Sequence, residues 1–237
     1  MTRRRWIADE VTHDRAALTG EHAAHLSRTL RARVGQEFEV VCDGQVRHAT
    51  VASVSDERVE FALGEEIAAS VAAPITLLLA VFKFDRMEWA IEKCTELNVT
   101  SIVPVIARRT EKHLALAADK RVERWRRIAR EASEQSRRVA PPEIGDPVKL
   151  PTALETPAEL RVVLAEAEKE AQLSEILRGR PELKSLAMAI GPEGGWMPEE
   201  LQLFETAGWI AASLGDNILR AETAAIAALA VAQAEMC

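Results

Sequence analysis

After Pro74, apolar runs of strand length alternate with stretches whose apolar residues recur every three or four positions, and this alternation restricts the possible folds more than any other feature. Residues 75–82 read as a buried strand, 86–97 as a helix, 99–106 as a second strand, and 116–138 as one long helix. In the first of these helices Met87, Ala90, Ile91, Cys94 and Leu97 share one face. Further strands are expected at 161–165, 185–190 and 209–214, with helices opening near Pro198 and Ala221. Strands alternating with helices predict a mostly parallel sheet covered on both faces, an α/β domain over 74–237.

The first 70 residues read differently. Short apolar runs at 38–42, 46–54 and 59–63, with a turn at Asp43-Gly44, are strand and hairpin patterns. Residues 21–33, with His22, His25, Leu26 and Leu30 on one side, read as a helix stopped by Gly35. A small, mainly β barrel with one helix is expected over 1–70, followed by a short linker before Pro74. No apolar run is long enough to cross a bilayer, and Arg3, Arg4 and Arg5 lead into polar sequence where a signal peptide needs an apolar stretch, so the chain reads as cytoplasmic. Its three scattered cysteines, Cys42, Cys94 and Cys237, suit neither a disulfide framework nor a thiolate site, and no metal-ligand cluster is evident.

A net charge of −7 disfavours indiscriminate coating of nucleic acid. Residues 83–138 nevertheless carry fourteen Lys or Arg against nine acids, and residues 1–35 carry seven Arg against four, so local basic faces are expected. Arginines such as Arg121, Arg124, Arg127 and Arg130 read equally as the solvated face of a helix.

Two segments carry the chemistry. Ile190-Gly191-Pro192-Glu193-Gly194-Gly195-Trp196 leaves a buried strand and precedes the helix opened by Pro198-Glu199-Glu200. A loop at the end of a parallel strand is where α/β proteins bind ligands, and its glycines let backbone approach closely. The Walker and dinucleotide patterns are missing; a purely structural tight turn is the other reading. The second segment, 214–224, repeats this geometry, with Arg220, Glu222 and Thr223 beside a helix start, where each serves either a substrate or the helix cap.

A strand ending in Ile190 to Gly195, followed about twenty residues later by Leu214-Gly215-x-x-Ile218-Leu219-Arg220-x-Glu222-Thr223-Ala224, resembles the RsmE-type SPOUT-class ribosomal RNA uridine-N3 methyltransferases. Lys83-Phe84-Asp85-Arg86-Met87-Glu88, Lys93, Glu96-Leu97-Asn98-Val99 and Glu134-Gln135-Ser136-Arg137-Arg138 match family segments in order, so the resemblance spans nearly the whole chain.

The resemblance implies a SPOUT α/β-knot. Its N-terminal PUA-like β-barrel (1–70) binds RNA, and its C-terminal methyltransferase domain (74–237), with a mostly parallel sheet, threads its last helix through a loop as a trefoil knot. It implies S-adenosyl-L-methionine held by three loops: Leu164, Ala165 and Glu166; Gly191, Pro192, Glu193, Gly194 and Gly195; and Leu214, Gly215, Ile218, Leu219 and Ala221. It implies N3 methylation of a specific uridine in 16S ribosomal RNA within an assembled 30S particle, by a homodimer. Arg220 and Glu222 are the implied catalytic residues, Arg220 contacting the uridine or its phosphate and Glu222 orienting Arg220 or accepting the N3 proton. Arg3, Arg4, Lys83, Arg86, Gln135, Arg137 and Arg138 are the implied RNA contacts, and no metal is implied. Trp196 is expected to pack under its loop.

Four residues, at three places, depart from the family pattern. Phe84 and Asn98 stand where glycine is common, and Asp216-Asn217 replaces a frequent Pro-Arg, removing a positive charge beside the implied site. The rival readings are a SPOUT enzyme acting on another RNA nucleotide, a nucleotidyl transferase, and a non-catalytic RNA-binding or assembly protein.

Overall fold

The computed structural model describes residues 5–67, 73–180 and 182–236. The chain divides into two compact units, Met1–Val71 with Ser133–Pro141, and Ala72–Ala132 with Pro142–Cys237. The segment 133–141, which the sequence pattern places inside the α/β domain, therefore groups with the first unit.

That first unit is a six-stranded mixed sheet in the order β1-β4-β5-β6-β3-β2, built from β1 (Trp6–Ile7), β2 (Glu10–Val11), β3 (Arg15–Thr19), β4 (Glu37–Cys42), β5 (Gln45–Val54) and β6 (Arg58–Ile67). The two edge strands, β1 and β2, are consecutive in the chain. In a flat sheet five strand spacings of about 4.8 Å would part them by about 24 Å, whereas three residue steps span at most about 11 Å. The sheet must therefore curl until its edges nearly meet. The hydrogen bonds show the crossing: Ala8 N–H donates to Val41 on β4, and the next residue, Asp9, donates to Ala17 on β3. Asp43 and Gly44 both take positive φ (50° and 80°), as the two-residue β4–β5 hairpin requires. Trp6, Leu18, Leu26, Phe38, Val40, Val59 and Phe61 fill the interior.

The helix expected over 21–33 is shorter than its pattern. Helix α1 (Gly20–Ala24) widens into a π-turn (His25–Thr29) and ends where Arg31 adopts φ 51°. This reversal returns Ala32 to the core, its N–H donating to Leu26, and leaves Leu30 half exposed.

In the second unit every strand pairing is parallel. The strands are β7 (Ile75–Ala80), β8 (Ser101–Ile106), β9 (Glu143–Ile144), β10 (Val148–Lys149), β11 (Leu160–Leu164), β12 (Leu186–Ile190) and β13 (Ile210–Ala212). They lie in the order β10-β8-β7-β12-β11-β13, with β9 beside β8. Alternate residues of β7 serve two separate cores: Leu77 and Leu79 face one, Leu78 and Ala80 the other. On the first side lie α2 (Phe84–Glu96), α4 (Val122–Gln135), α6 (Leu173–Leu177) and α8 (Ala221–Met236); on the second, α5 (Leu150–Ala153) and α7 (Pro198–Thr206). Four of the six buried residues of α8 are alanine, so it seats closely against α2 and α6.

The long helix expected over 116–138 is broken. Helix α3 (Lys112–Ala117) is separated from α4 by a 3-10 turn (Asp119–Arg121), and α4 stops at Gln135, before Arg137 takes φ 62°. The tighter turn rephases the helix so that Ala118, Val122, Trp125 and Ala129 all reach the core. Asn98 adopts φ 61° after α2, while Val99 N–H donates to Cys94 and Asn98 N–H to Thr95. Those bonds form a Schellman cap, which asparagine tolerates in place of glycine.

Candidate active site

Strands β12, β11 and β13 are neighbours in a parallel sheet, so the loops leaving their carboxyl ends converge. Between them lies a cavity of about 220 Å³, lined by Leu164 to Ala167, by Gly191, Pro192, Gly194, Gly195 and Trp196, and by Ser213 to Leu219 with Ala221 and Ala224. Most of the wall is aliphatic or backbone, and the charged groups on it are Arg109, Glu166 and Asp216.

The glycine loop is shaped by its neighbours. Gly195 takes φ 69°, and a Cβ on Gly194 would come within 3.1 Å of the Arg109 side chain. Trp196 is buried edge-on against Phe204 with ring centroids 4.9 Å apart, and Phe204 meets Trp209 in the same way. The Trp196 indole Nε1 has no hydrogen-bond partner, although the residue lines the cavity. Beneath the loop, the buried carboxylate of Glu200 accepts from Met197 N–H and Arg108 N–H, both at 2.9 Å. One side chain thus opens α7 and fixes the loop after β8. Thr110 secures that loop's other end, donating to the Val81 carbonyl and accepting from Ala107 N–H. On the third loop, the Ser213 hydroxyl donates to the Gly215 carbonyl and accepts from its N–H.

A family model described as an RNA methyltransferase domain matches residues 70–233. The chain is 31% identical to ribosomal RNA small subunit methyltransferase E of Bacillus subtilis, over 90% of this chain and 87% of that protein. It is 32% identical to the protein of the same name from Rickettsia conorii, again over 90% and 87%. The chain belongs to the ribosomal RNA small subunit methyltransferase E family. A Neisseria gonorrhoeae family member, solved bound to S-adenosyl methionine, superposes with TM-score 0.87 at 30% identity, over 98% of this chain and 97% of that one. A putative methyltransferase from Legionella pneumophila, in complex with the bound cofactor SAM, does so with TM-score 0.86 at 29% identity over 99% and 98%. The fold is accordingly the α/β SPOUT fold with an N-terminal barrel, as its sequence resemblance implied.

Of the residues that the methyltransferase E resemblance assigns to the cofactor, Leu164, Ala165, Glu166, Gly191, Pro192, Gly194, Gly195, Leu214, Gly215, Ile218, Leu219 and Ala221 line this one cavity. Glu193 does not: its carboxylate points outward and accepts from Lys83 N–H at 3.4 Å. Arg220 lies exposed at the start of α8, where its carbonyl accepts from Ala224 N–H, and its guanidinium makes no hydrogen bond or ion pair among the described residues. Glu222, only 5% exposed, lies in the first turn of α8. Its Oε1 stands 3.8 Å from Arg86 Nε and its Oε2 has no hydrogen-bond partner, so the cation beside it is Arg86, across α2 and α8.

The other assigned RNA contacts are dispersed. Arg3 and Arg4 lie outside the described residues. Lys83 and Gln135 are exposed. Arg137 donates to Glu39 Oε2 at 2.6 Å, and Arg5 donates to the same oxygen at 2.8 Å and to the Arg137 carbonyl. The hydrogen bond from Arg137 holds the Glu39 carboxyl below the usual carboxylate range; partial burial opposes this and Arg5 adds to it. Burial pushes the Arg138 guanidinium down to about 10. Arg121 stacks over Phe84 at 4.7 Å, and Arg124 is forked onto Glu88, so this face of the second unit is largely self-paired. Among the described residues no helix is long and apolar enough to cross a membrane.

Arg109 and Ser213 are cavity residues that the sequence motifs did not single out. Arg109 follows the strand at 101–106, so the rule that located the glycine loop, ligand residues just past the end of a parallel strand, applies to it as well.

Proposed function

We propose that this chain transfers the methyl group of S-adenosyl-L-methionine to N3 of a uridine in 16S ribosomal RNA, acting in the cytoplasm as a homodimer on the assembled 30S particle. The observation that carries the reading is the convergence of three strand-end loops on one narrow cavity whose wall is aliphatic side chain and glycine backbone. The donor set fits the cofactor: the aliphatic wall suits an adenine face, and the orphaned Trp196 Nε1 offers a donor that nothing in the protein uses. When bound, S-adenosyl-L-methionine supplies a methyl group made electrophilic by the positive sulfonium.

The protein's own part is positioning and charge. Arg220, exposed and unpaired between the cavity loop and α8, meets the target base and stabilises the negative charge that spreads over the uracil carbonyls as N3 loses its proton. Glu222 offers a free, buried carboxylate oxygen in the first turn of α8 to receive that proton, with the Arg86 guanidinium 3.8 Å from the other oxygen. Lys83, Arg86, Gln135 and Arg138, with Arg3 and Arg4, supply affinity for the RNA backbone, which leaves selection of the uridine to RNA shape. Arg137, already committed to Glu39, contributes chiefly by shaping its own segment.

The deciding experiment incubates the protein with labelled S-adenosylmethionine and either 30S subunits or deproteinised 16S RNA from cells lacking this activity, then identifies the methylated nucleoside by mass. N3-methyluridine formed on 30S subunits is the expected result. Another methylated nucleoside overturns the target atom, and equal transfer to naked RNA overturns the particle requirement.

A further inference from the structure

The charged groups on the cavity wall are one cation and two anions, and their placement is not random. Arg109 and Glu166 flank two successive residues of the glycine loop. A Cβ on Gly194 would meet Arg109 Cδ at 3.1 Å, and a Cβ on Gly195 would meet the Glu166 carboxylate at 3.7 Å. Neither charge is used up inside the protein. Glu166 makes no hydrogen bond or ion pair among the described residues, and Arg109 gives one N–H to the Gly194 carbonyl, leaving most of the five donors of a guanidinium open. The loop bearing Arg109 is held at both ends, by Glu200 on Arg108 N–H and by Thr110 on the Val81 carbonyl, so its backbone is fixed before any ligand arrives.

We propose that Arg109 and Glu166 form a clamp for the α-amino acid end of the ligand, Arg109 taking its carboxylate and Glu166 its ammonium. A cation and an anion on either side of a bare glycine pair complement a zwitterion, and a single phosphate or a neutral sugar would leave one of them unanswered. Asp216 brings the wall to one positive and two negative charges. That balance is opposite to S-adenosylmethionine, whose sulfonium, ammonium and carboxylate sum to one positive charge. The clamp rests on the cofactor reading above, and it orients the ligand: the amino acid end lies by Gly194 and Gly195, and the adenosine end lies among the aliphatic residues of the other two loops. It also explains why Gly194 is glycine, since a side chain there would displace Arg109.

The test is calorimetric binding of two ligands that differ only at the proposed contact: S-adenosylhomocysteine, and methylthioadenosine, which keeps adenosine and sulfur but lacks the amino acid group. For the wild-type chain the first should bind much more tightly than the second. Arg109→Ala and Glu166→Gln should each weaken S-adenosylhomocysteine on the order of 10- to 100-fold while changing methylthioadenosine by less than about twofold. Both side chains are exposed, so folding should persist; if either variant melts early, the other carries the same comparison. Equal losses for both ligands would make Arg109 a prop for the glycine loop and overturn the clamp. Unchanged binding of both would also overturn it and leave Arg109 to an RNA phosphate. Equal wild-type affinity for the two ligands would overturn the clamp with the cofactor reading intact, whereas a wild-type chain that binds neither would overturn both.

Discussion

The barrel unit and the cavity both use arginine against glutamate, to opposite ends. In the barrel unit Arg5 and Arg137 converge on a single carboxylate, Glu39, with contacts of 2.8 Å and 2.6 Å. At the cavity Arg109 spends one N–H on a carbonyl and Glu166 spends nothing, and at the start of α8 Glu222 keeps one oxygen free. A charge that is already answered holds structure together. One held ready without a partner costs stability and is expected where a ligand completes it.

That contrast can be broken by separating turnover from melting. Arg220→Ala should give the largest effect, lowering single-turnover methyl transfer by about 100- to 1000-fold with the melting temperature unchanged, because its guanidinium anchors nothing in the fold. Glu222→Gln preserves the shape of the side chain but exchanges one acceptor oxygen for an NH2 donor, and it cannot take a proton. Transfer should fall by about 100-fold while S-adenosylhomocysteine affinity holds; an unchanged rate would remove Glu222 from the chemistry. Glu39→Gln reverses the pattern, lowering stability by about 1 kcal/mol in a denaturant melt while cofactor affinity stays constant. The pH dependence has a definite sign: Glu39 has a lowered folded value, so its contribution is complete above the ordinary 4.5 and is withdrawn as pH falls below that through the folded value. Glu39→Gln should therefore flatten the acid limb of the stability curve. Asp216→Asn should be the mildest change, narrowing the preference for S-adenosylmethionine over S-adenosylhomocysteine by roughly threefold, as expected for one exposed charge.

Legibility in the sequence followed how far a residue's role depends on its neighbours along the chain. Strands such as 75–80 and 186–190 are buried on both faces, so their apolar runs announce them. The glycine loop and the 214–224 segment were legible because strand, loop and helix start follow in order. Strands β1, β2, β9 and β10 have two residues each, too few to show alternation, and became strands only through their partners. Arg109 was hidden because an Arg-Arg pair after a strand looks like ordinary surface; only the folded loop lays it against Gly194. Glu200 looked like an acid in a first helical turn, and its bond to Arg108 N–H spans 92 residues. Glu222 was expected beside Arg220, its neighbour in sequence, yet the helical twist aims it at Arg86 on another helix.

The membership of Ser133–Pro141 in the first unit has a consequence for biosynthesis. Glu39 waits 98 residues for Arg137, so the barrel unit leaves the ribosome unfinished, and more than sixty residues of the second unit must emerge before its last segment does. Closing so long a loop is slow compared with forming local hairpins. The barrel unit should therefore mature in two stages, hairpins first and the Glu39 lock later, and a chain cut after residue 71 should stall at the first.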